Sequence, residues 1–424
     1  MSLATSAPLA IDRATCLALD AADPLAAYRD RFALPDDLVY LDGNSLGALP
    51  QATAAHVAHV ITEEWGTGLI RSWNDAGWFA KPLVLGDRIA PLIGAAEGEV
   101  VLGDSTSASL FQVAVAAARL RPDRRVIVSE RSNFPTDLYI LDGVQQLLGR
   151  PAPLERRLID DGGPSLDEVL DDDVAVVVLT HVDYRTGRMH DMVEVTRRVH
   201  SAGAIMVWDL CHSVGAVPVD LNGADADFAI GCTYKYLNGG PGSPSFMWVA
   251  ERHHAVASPA VTGWHGHATP FDFDVEYVPA DGVTRFRVGT PQLLSMAALE
   301  ASLEIWGEVD LADVREKSLR LTELFISLVD SRLAPWGVEV VTPRQSAKRG
   351  SQVALRVDDG YAVMQALIER GVIGDFRAPD LMRFGFAPLY VSHADVWDAI
   401  AVLEEVLATG VWREPRFARR GTVT

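Results

Sequence analysis

The sequence predicts an α/β protein in which a large domain, with a mainly parallel β-sheet flanked by helices, is followed by a smaller C-terminal α+β domain. Two observations lead to this fold class. Apolar strand-like runs alternate with amphipathic helical stretches through the middle of the chain, and from residue 291 onward the pattern changes to long helices and short strands. A chain of 424 residues that is 49% hydrophobic is large enough for two or three domains.

The sheet of the large domain is predicted from five apolar runs. They are RRVIVSE (124–130), VAVVVLTHV (174–182), AIMVWDL (204–210), DFAIGCT (227–233) and SFMWVAE (245–251). Nearly continuous apolar runs are typical of parallel strands whose two faces are both covered by helices. One crossover helix is predicted over 192–202, where apolar residues recur at a period near 3.6 and Gly203 supplies the stop.

The C-terminal region reads as two long helices, at 292–306 and 310–331, followed by short strands near 338–341 and 352–357, a helix near 360–370, and further strands up to 386. Ser392 and Asp395 form a capping-box variant at the start of a last helix, and Gly410 follows its end. We therefore divide the chain into an N-terminal arm (1–50) that contributes to the small domain and active site, a large domain (51–291) and a small domain (292–424).

Composition argues against several classes of partner. A formal net charge of −20 and a pI near 4.9 repel nucleic acids and anionic membranes. The three cysteines, Cys16, Cys211 and Cys232, are too few for a disulfide framework and favour a reducing cytoplasm. The N-terminus lacks the basic start of a signal peptide, and no apolar run of membrane-spanning length occurs, so we expect a cytoplasmic protein.

The residues most informative about chemistry lie in the stretch 207–243. Asp209 ends one apolar run, His212 follows three residues later, and Lys235 comes just after the next run. Because ligands of open α/β sheets bind outside the carboxyl ends of the strands, Asp209 and Lys235 should face one crevice. A lysine amine can form a Schiff base with the aldehyde of pyridoxal 5′-phosphate (PLP), and a carboxylate can keep the pyridine nitrogen of that cofactor protonated.

A phosphate group would need hydrogen-bond donors, preferably at a helix N-terminus. Thr106 and Ser107 stand just before a helical stripe that begins at Leu110. A Ser/Thr cluster of this kind is also an ordinary helix cap, but together with Lys235 it predicts a phosphate site.

In eight blocks, which run in order along nearly the whole chain, the sequence resembles the kynureninases, within the class V aminotransferase group of fold-type I PLP enzymes. The blocks are VYLDGNSLG (39–47), NFPTDLY (133–139), VDYRTGRMHD (182–191), WDLCHSVG (208–215), TYKYLNGGPGS (233–243), GWHGH (263–267), FRVGTPQLLS (286–295) and MRFGFAPLY (382–390). The first and seventh distinguish kynureninases from cysteine desulfurases.

The resemblance implies PLP-dependent hydrolysis of L-kynurenine, or 3-hydroxykynurenine, in tryptophan catabolism, the kynurenine pathway and NAD biosynthesis. It implies that Lys235 binds the cofactor and moves the α-proton, that Asp209 pairs with the pyridine nitrogen, and that Tyr234 is an acid or base. The other residues implied at the cofactor are Thr106, Ser107, Phe134, Asp137, Thr180, His212, Trp264 and Thr290, of which Trp264 and Thr290 come from the partner subunit of a homodimer.

Three residues are expected at the substrate. Arg383 lies in a strand-like run, where an unpaired arginine would be costly, and the resemblance implies that it grips the substrate α-carboxylate. Ser45 and Trp65 are expected to line the aromatic end of the substrate pocket.

Other sites are disfavoured by the residues, and two positions depart from the family pattern. His265 with His267, and His253 with His254, lack nearby ligands at metal spacing, so no metal is expected. His265 stands where relatives usually carry an aromatic residue, and Thr180 stands where serine is common. The preferred ring substituent of the substrate therefore stays open.

Three alternatives remain: a related hydrolase of a ring-substituted kynurenine in secondary metabolism, another class V PLP enzyme such as a transaminase, and a non-enzymatic protein of the same fold. A cysteine desulfurase would need a nucleophilic cysteine in a late loop, whereas the last cysteine, Cys232, lies in a strand-like run. A regulatory protein would need a basic DNA-reading segment, and none is apparent.

Overall fold

Within residues 11–148 and 154–421, which the computed structural model describes, a seven-stranded sheet forms the centre of the large domain. The strands before residue 250 are β1 (Val39–Tyr40), β2 (Val100–Gly103), β3 (Val126–Glu130), β4 (Glu155–Ile159), β5 (Val174–Thr180), β6 (Ile205–Asp209), β7 (Phe228–Gly231) and β8 (Ser245–Val249). All except β1 belong to this sheet, in the order β2-β8-β7-β6-β5-β3-β4.

The sheet is mainly parallel, which confirms the predicted fold class. The neighbours from β4 to β7 pair in parallel, while β8 runs antiparallel to both β7 and β2. All residues of β3, β5, β6, β7 and β8 are buried. Helices cover both faces, which is why these strands are apolar throughout instead of alternating.

The helices of this first part of the chain are α1 (Arg13–Ala21), α2 (Thr53–His59), α3 (Ser72–Asp75), α4 (Lys81–Ile89), α5 (Thr106–Arg119), α6 (Pro135–Leu147), α7 (Leu166–Val169) and α8 (Met192–Ser201). The predicted crossover helix at 192–202 is confirmed as α8. Asp191 caps its start by accepting a hydrogen bond from Glu194 N, and Gly203 follows its end with a φ of +72°, a conformation that favours glycine.

The C-terminal region contains α9 (Leu293–Trp306), α10 (Leu311–Leu328), α11 (Gly360–Ile368) and α12 (His393–Thr409), together with β9 (Glu339–Val340), β10 (Gln352–Arg356), β11 (Val372–Ile373), β12 (Asp375–Arg377) and β13 (Leu381–Gly385). Strands β12-β13-β10-β9 form an antiparallel sheet. The predicted capping box of the last helix is confirmed at Ser392 and Asp395, and Gly410 caps its end in the left-handed conformation.

The N-terminal arm is attached to the C-terminal region. Strand β1 pairs in parallel with β11, and α1 packs against α12, where Asp20 Oδ1 accepts a 2.8 Å hydrogen bond from His393 Nδ1. Beyond β1 the arm reaches the large domain, because Gly47 N donates a 2.8 Å hydrogen bond to Tyr234 O. The domain boundaries at residues 50 and 291 stay a prediction.

Among the described residues, no helix combines the length and the apolar character needed to cross a membrane. Cys16, Cys211 and Cys232 are all buried free thiols.

Candidate active site

Asp209 and Lys235 meet at the carboxyl edge of the large sheet. Asp209 is the last residue of β6, and Lys235 lies in the turn that follows β7, the adjacent strand. A cavity of about 110 Å³ opens between them. It is lined by Thr106, Ser107, Phe134, Thr136, Asp137, Thr180, Tyr184, Asp209, Cys211, His212, Tyr234 and Lys235. Nine of these were predicted from the sequence; Thr136, Tyr184 and Cys211 were not.

The Asp209 carboxylate is held in place by two neighbours. Its Oδ1 accepts a 2.8 Å hydrogen bond from Cys211 N, and its Oδ2 accepts one of 3.3 Å from Thr180 Oγ1. Asp137 lies beside it. Burial and the charge of Asp209 raise the pKa of Asp137 well above its ordinary value.

The amine of Lys235 lies 3.0 Å from Nε2 of His212. Burial and the charge of Lys235 hold the pKa of His212 well below its usual range, so the imidazole is neutral and accepts this hydrogen bond. Burial lowers the pKa of Lys235, but Cys232, Cys211, Tyr234 and Asp209 together raise it above its ordinary value. The neutral imidazole, as a hydrogen-bond acceptor, therefore orients the amine.

The N-terminus of α5 borders the same cavity. Ser105 caps this helix, and Thr106 and Ser107 form its first turn, where backbone N–H groups lack partners within the helix. A second, outer cavity of about 520 Å³ shares Thr106, Ser107 and Tyr234 with the first. A helix N-terminus with two hydroxyl groups is suited to an anion such as a phosphate.

Asn133 is a structural residue of the site that sequence reasoning missed. Its buried Oδ1 accepts a hydrogen bond from Thr180 Oγ1 and one of 2.7 Å from Phe134 N. The Phe134 ring, 42% exposed, meets Tyr184 edge-on at 5.1 Å between ring centroids. The only sequence signal was the position of Asn133, two residues before a proline that opens α6.

The guanidinium of Arg383 already has partners within the chain. Strand β12 places Asp375 directly opposite Arg383, and both side chains are 1% exposed. Arg383 Nε donates to Asp375 Oδ1 at 2.8 Å, its Nη2 to Asp375 Oδ2 and to Ser45 Oγ, and its Nη1 to Tyr184 O. An internal carboxylate therefore already satisfies one edge of this arginine.

The structure does not bring every predicted residue to the cavity that Lys235 lines. Ser45 lines the outer cavity and accepts a hydrogen bond from Arg383. Trp65, Trp264 and Thr290 are exposed and do not line the Lys235 cavity of their own chain.

The histidines considered for metal binding have partners within the chain, as does Cys232. Arg287 Nη2 donates to His265 Nδ1, while His267, His253 and His254 donate through Nε2 to Glu276 O, Asp227 Oδ1 and Val249 O. Cys232 is 2% exposed and its Sγ lies 3.7 Å from Cys211 O. A buried thiol in this position lacks the exposure that a mobile nucleophile needs.

The residues around the inner cavity fit PLP. They supply an amine for the aldehyde, a carboxylate for the pyridine nitrogen and a helix N-terminus for the phosphate. Two buried polar atoms there, Asp137 Oδ2 and His212 Nδ1, have no hydrogen-bond partner among the described residues. Buried polar atoms without partners indicate a missing polar ligand.

Comparisons with known proteins agree with this geometry. The family model described as the kynureninase C-terminal domain matches residues 314–403. The chain is 55% identical to the kynureninase of Burkholderia pseudomallei strain 1106a over 97% of its own length and 99% of that protein. It is 52% identical to the kynureninase of Pseudomonas fluorescens, with the same coverage.

Solved structures support the fold alone, because their sequence identities are low. A cysteine desulfurase from Thermococcus onnurineus NA1 superposes with a TM-score of 0.74 at 20% identity and covers 90% of this chain and 98% of its own. A lysine variant of C-DES, with glycine covalently linked to its PLP cofactor, superposes with a TM-score of 0.76 at 16% identity, covering 89% of this chain and 99% of its own.

Proposed function

This chain belongs to the kynureninase family, and from that premise we propose how its residues carry out a PLP-dependent hydrolysis. The reaction cleaves the Cβ–Cγ bond of L-kynurenine with water and gives anthranilate and L-alanine, a step of tryptophan catabolism. The corresponding products of 3-hydroxykynurenine are 3-hydroxyanthranilate and L-alanine. The observation that carries this assignment is 55% identity to a curated kynureninase over nearly the full length of both chains.

The cofactor, when bound, supplies an electron-withdrawing pyridine ring that stabilises negative charge at the substrate Cα. Lys235 holds the cofactor aldehyde and afterwards accepts and returns the proton at Cα. The Asp209 carboxylate would face the pyridine nitrogen and keep it protonated, with Asp137, whose pKa is raised by burial and by the charge of Asp209, beside it. The first turn of α5, with Thr106 and Ser107, binds the phosphate.

Tyr234 is the proposed acid and base at the substrate carbonyl. It lines both cavities, and its ring centroid lies 5.6 Å from Lys235 Nζ. Burial raises the pKa of Tyr234 to about 12, so its hydroxyl is protonated at neutral pH and can donate to a carbonyl oxygen.

The proposal extends to a homodimer in the cytoplasm. Exposed apolar side chains at Trp65, Ile70, Phe271, Phe273 and Val275 supply a surface suited to a second copy of the chain. Trp264 and Thr290 would then enter the active site of the partner. Three free, buried thiols suit a reducing compartment.

The experiment that tests the function is a product assay on the purified protein loaded with PLP. A visible absorption band, with anthranilate fluorescence and alanine appearing in equal amounts after L-kynurenine is added, is the expected result. A parallel reaction with 3-hydroxykynurenine ranks the two substrates. A band without cleavage would favour a transaminase, which would instead transfer an amino group from alanine to a keto acid.

A further inference from the structure

A second arginine, Arg377, stands beside Arg383 at the outer edge of the site. Arg377 lies on β12, and its Nη2 donates to two atoms that Arg383 also uses, Asp375 Oδ2 and Ser45 Oγ. The distances to Ser45 Oγ are 3.2 Å from Arg377 Nη2 and 2.7 Å from Arg383 Nη2. The two guanidinium groups therefore converge on one hydroxyl and one carboxylate.

The two arginines differ in how many of their donors are used. The Nε, Nη1 and Nη2 atoms of Arg383 all donate within the chain. The Nε of Arg377, by contrast, is buried and has no acceptor among the described residues, although the side chain as a whole is 36% exposed. A buried guanidinium donor without an acceptor is costly unless a ligand completes it.

The positive charges of the two arginines are also not fully balanced by neighbouring carboxylates. Asp375 balances one of the two guanidinium charges, and Asp42 is the nearest second carboxylate. Asp42 Oδ1 is itself buried without a hydrogen-bond partner among the described residues. A third arginine, Arg185, lies 4.0 Å from Asp380, a carboxylate that Arg356 also contacts. Up to one positive charge is thus left for an anion from outside the chain.

The pair contacts residues that line the two cavities, although neither arginine is itself a lining residue. Ser45, which both arginines contact, lines the outer cavity, and Tyr184, whose carbonyl oxygen Arg383 contacts, lines the inner one. The pKa of His212 is lowered by burial and then, in decreasing order, by the charges of Lys235, Arg383 and Arg377. The charge of Arg377 therefore acts on His212, the residue beside the Lys235 amine.

We propose that Arg377 is a second cationic ligand of the substrate α-carboxylate, acting beside Arg383, and that Asp375 is a positioning residue that fixes both guanidinium groups. The proposal rests on the proposed function, because it takes the ligand to be an amino acid with a free carboxylate. Guanidinium groups suit this role because they bind carboxylates through planar, charge-assisted hydrogen bonds.

The test separates recognition of the carboxylate from turnover. The probe is β-benzoylpropionate, an aryl keto acid that lacks the amino group needed to react with the cofactor, and its uncharged amide is the comparison. Affinities for the PLP-loaded protein are measured by titration calorimetry. The wild-type protein should bind the acid more tightly than the amide.

Arg377→Gln should weaken binding of the acid by about tenfold or more while changing the affinity for the amide less than about twofold, because only the acid uses the guanidinium charge. The acid affinity of Arg377→Lys should lie between those of the wild-type protein and Arg377→Gln, since lysine keeps the positive charge but lacks the planar guanidinium. Asp375→Asn should also reduce the preference for acid over amide. The matched control is Arg356→Gln, which removes an arginine of β10, two strands away from β12 in the same sheet, that pairs with Glu339 and Asp380. This variant should leave both affinities unchanged.

An unchanged acid affinity in Arg377→Gln would overturn the proposal. An equal loss of affinity for acid and amide would also overturn it, because it would indicate a general disturbance of β12. Anthranilate release from L-kynurenine is measured on the same preparations. If the wild-type protein releases none, yet its preference for the acid depends on Arg377, the proposed function fails and the carboxylate site stands.

Discussion

At the scale of single residues, the position of Lys235 decides whether any chemistry occurs. Lys235→Ala should remove the visible absorption band of the bound cofactor and abolish anthranilate release, because no other amine lines the inner cavity formed by the described residues. The measurement is an absorption spectrum together with the fluorescence assay. Lys81→Ala, which removes a lysine paired with Glu300, is the control and should keep both signals. Normal turnover in Lys235→Ala would contradict the assignment.

Asp42 should make carboxylate binding depend on pH. Burial and the charge of Asp375 raise the pKa of Asp42 to about 7, while Tyr40, which also faces it, has a raised pKa and stays protonated. Below pH 7 the Asp42 carboxyl is neutral; above it, a new negative charge appears beside Arg377 and Arg383. The affinity for β-benzoylpropionate should therefore fall roughly three- to tenfold between pH 6 and pH 8.

Asp42→Asn supplies the control for this pH dependence, because the amide is neutral at every pH. The variant should bind the acid with nearly constant affinity across the same range, measured by calorimetry in matched buffers. A pH profile of the same shape in the variant would assign the titration to another group.

Sequence reasoning reached some of these residues and not others, for a physical reason. The sequence was sufficient to predict Asp209, Lys235 and Thr106 as site residues. Apolar runs mark the strands, and each of these residues follows or faces the carboxyl end of such a strand. Asp375 was not, since its partnership with Arg383 depends on the register of β12 against β13, which the sequence does not reveal. The position of Arg377 beside Arg383 depends on the same register of β12 against β13.

At the scale of elements, the N-terminal arm is in direct contact, at Gly47, with the turn after β7 that carries Lys235. A Cβ at this position would lie 2.2 Å from Lys235 O and 2.8 Å from Asn238 Cα, so Gly47→Ala must push the arm and the turn apart. Turnover should fall about 10- to 100-fold, because a shift near 1 Å at a reacting group has an effect of this size. Gly143→Ala in α6, where a Cβ meets open space, should keep wild-type kcat. Unaltered kinetics in Gly47→Ala would show that the arm does not position Lys235.

A single carboxylate links three other elements. Asp227, directly before β7, accepts hydrogen bonds from His200 in the last turn of α8, from Met206 N in β6, and from His253 after β8. Burial raises the pKa of Asp227, but these hydrogen bonds outweigh it and hold the pKa far below its ordinary value. The contribution of Asp227 to stability is thus present above about pH 4 and is lost as the pH falls through its lowered pKa.

Asp227→Asn should lower the free energy of unfolding by about 3 kcal/mol at neutral pH, because it leaves buried partners without their charged acceptor. The hydrogen bond from His200 to Asp227 raises the pKa of His200, so that part of the effect should shrink as the pH rises through the raised value. Thermal melts at several pH values measure both. Asp225→Asn, whose carboxylate is 73% exposed, should change the stability by less than about 0.5 kcal/mol. Equal effects of the two substitutions would argue against a structural role for Asp227.

Some strands of the large sheet could be predicted from the sequence, and others could not. The five apolar runs all proved to be strands, because burial on both faces demands apolar residues throughout. The edge strand β4 was not predicted, since three of its five residues are charged and nothing in ERRLI marks it as a strand. All five of its residues are partly or fully exposed. The antiparallel direction of β8 was also missed, because strand direction depends on the connections and not on composition.

At the scale of the whole molecule, the proposed dimer should allow defective chains to complement each other. If each site combines Lys235 of one chain with Trp264 of the other, a mixture of Lys235→Ala and Trp264→Ala chains contains mixed dimers with one intact site. After equal amounts of the two variants have exchanged subunits, activity should recover to about a quarter of the wild-type value, because about half of the dimers are mixed and each has one intact site of two. A mixture of Lys235→Ala and Asp209→Ala is the control and should recover none, since both defects affect the same chain's contribution to the site. No recovery in the first mixture would indicate sites built from one chain.

The pairing of β1 with β11 sets the order in which the protein can be completed on the ribosome. Val39 and Tyr40 are synthesised early, but their partners, Val372 and Ile373, follow roughly 330 residues later. At typical rates of translation this delay is about 15 to 65 seconds. The large sheet can fold during that interval, whereas the arm that contacts the turn carrying Lys235 must wait for the last eighth of the chain. A nascent chain therefore carries Lys235 through roughly a third of its synthesis without a finished active site, and a product that stops before β11 would never acquire one.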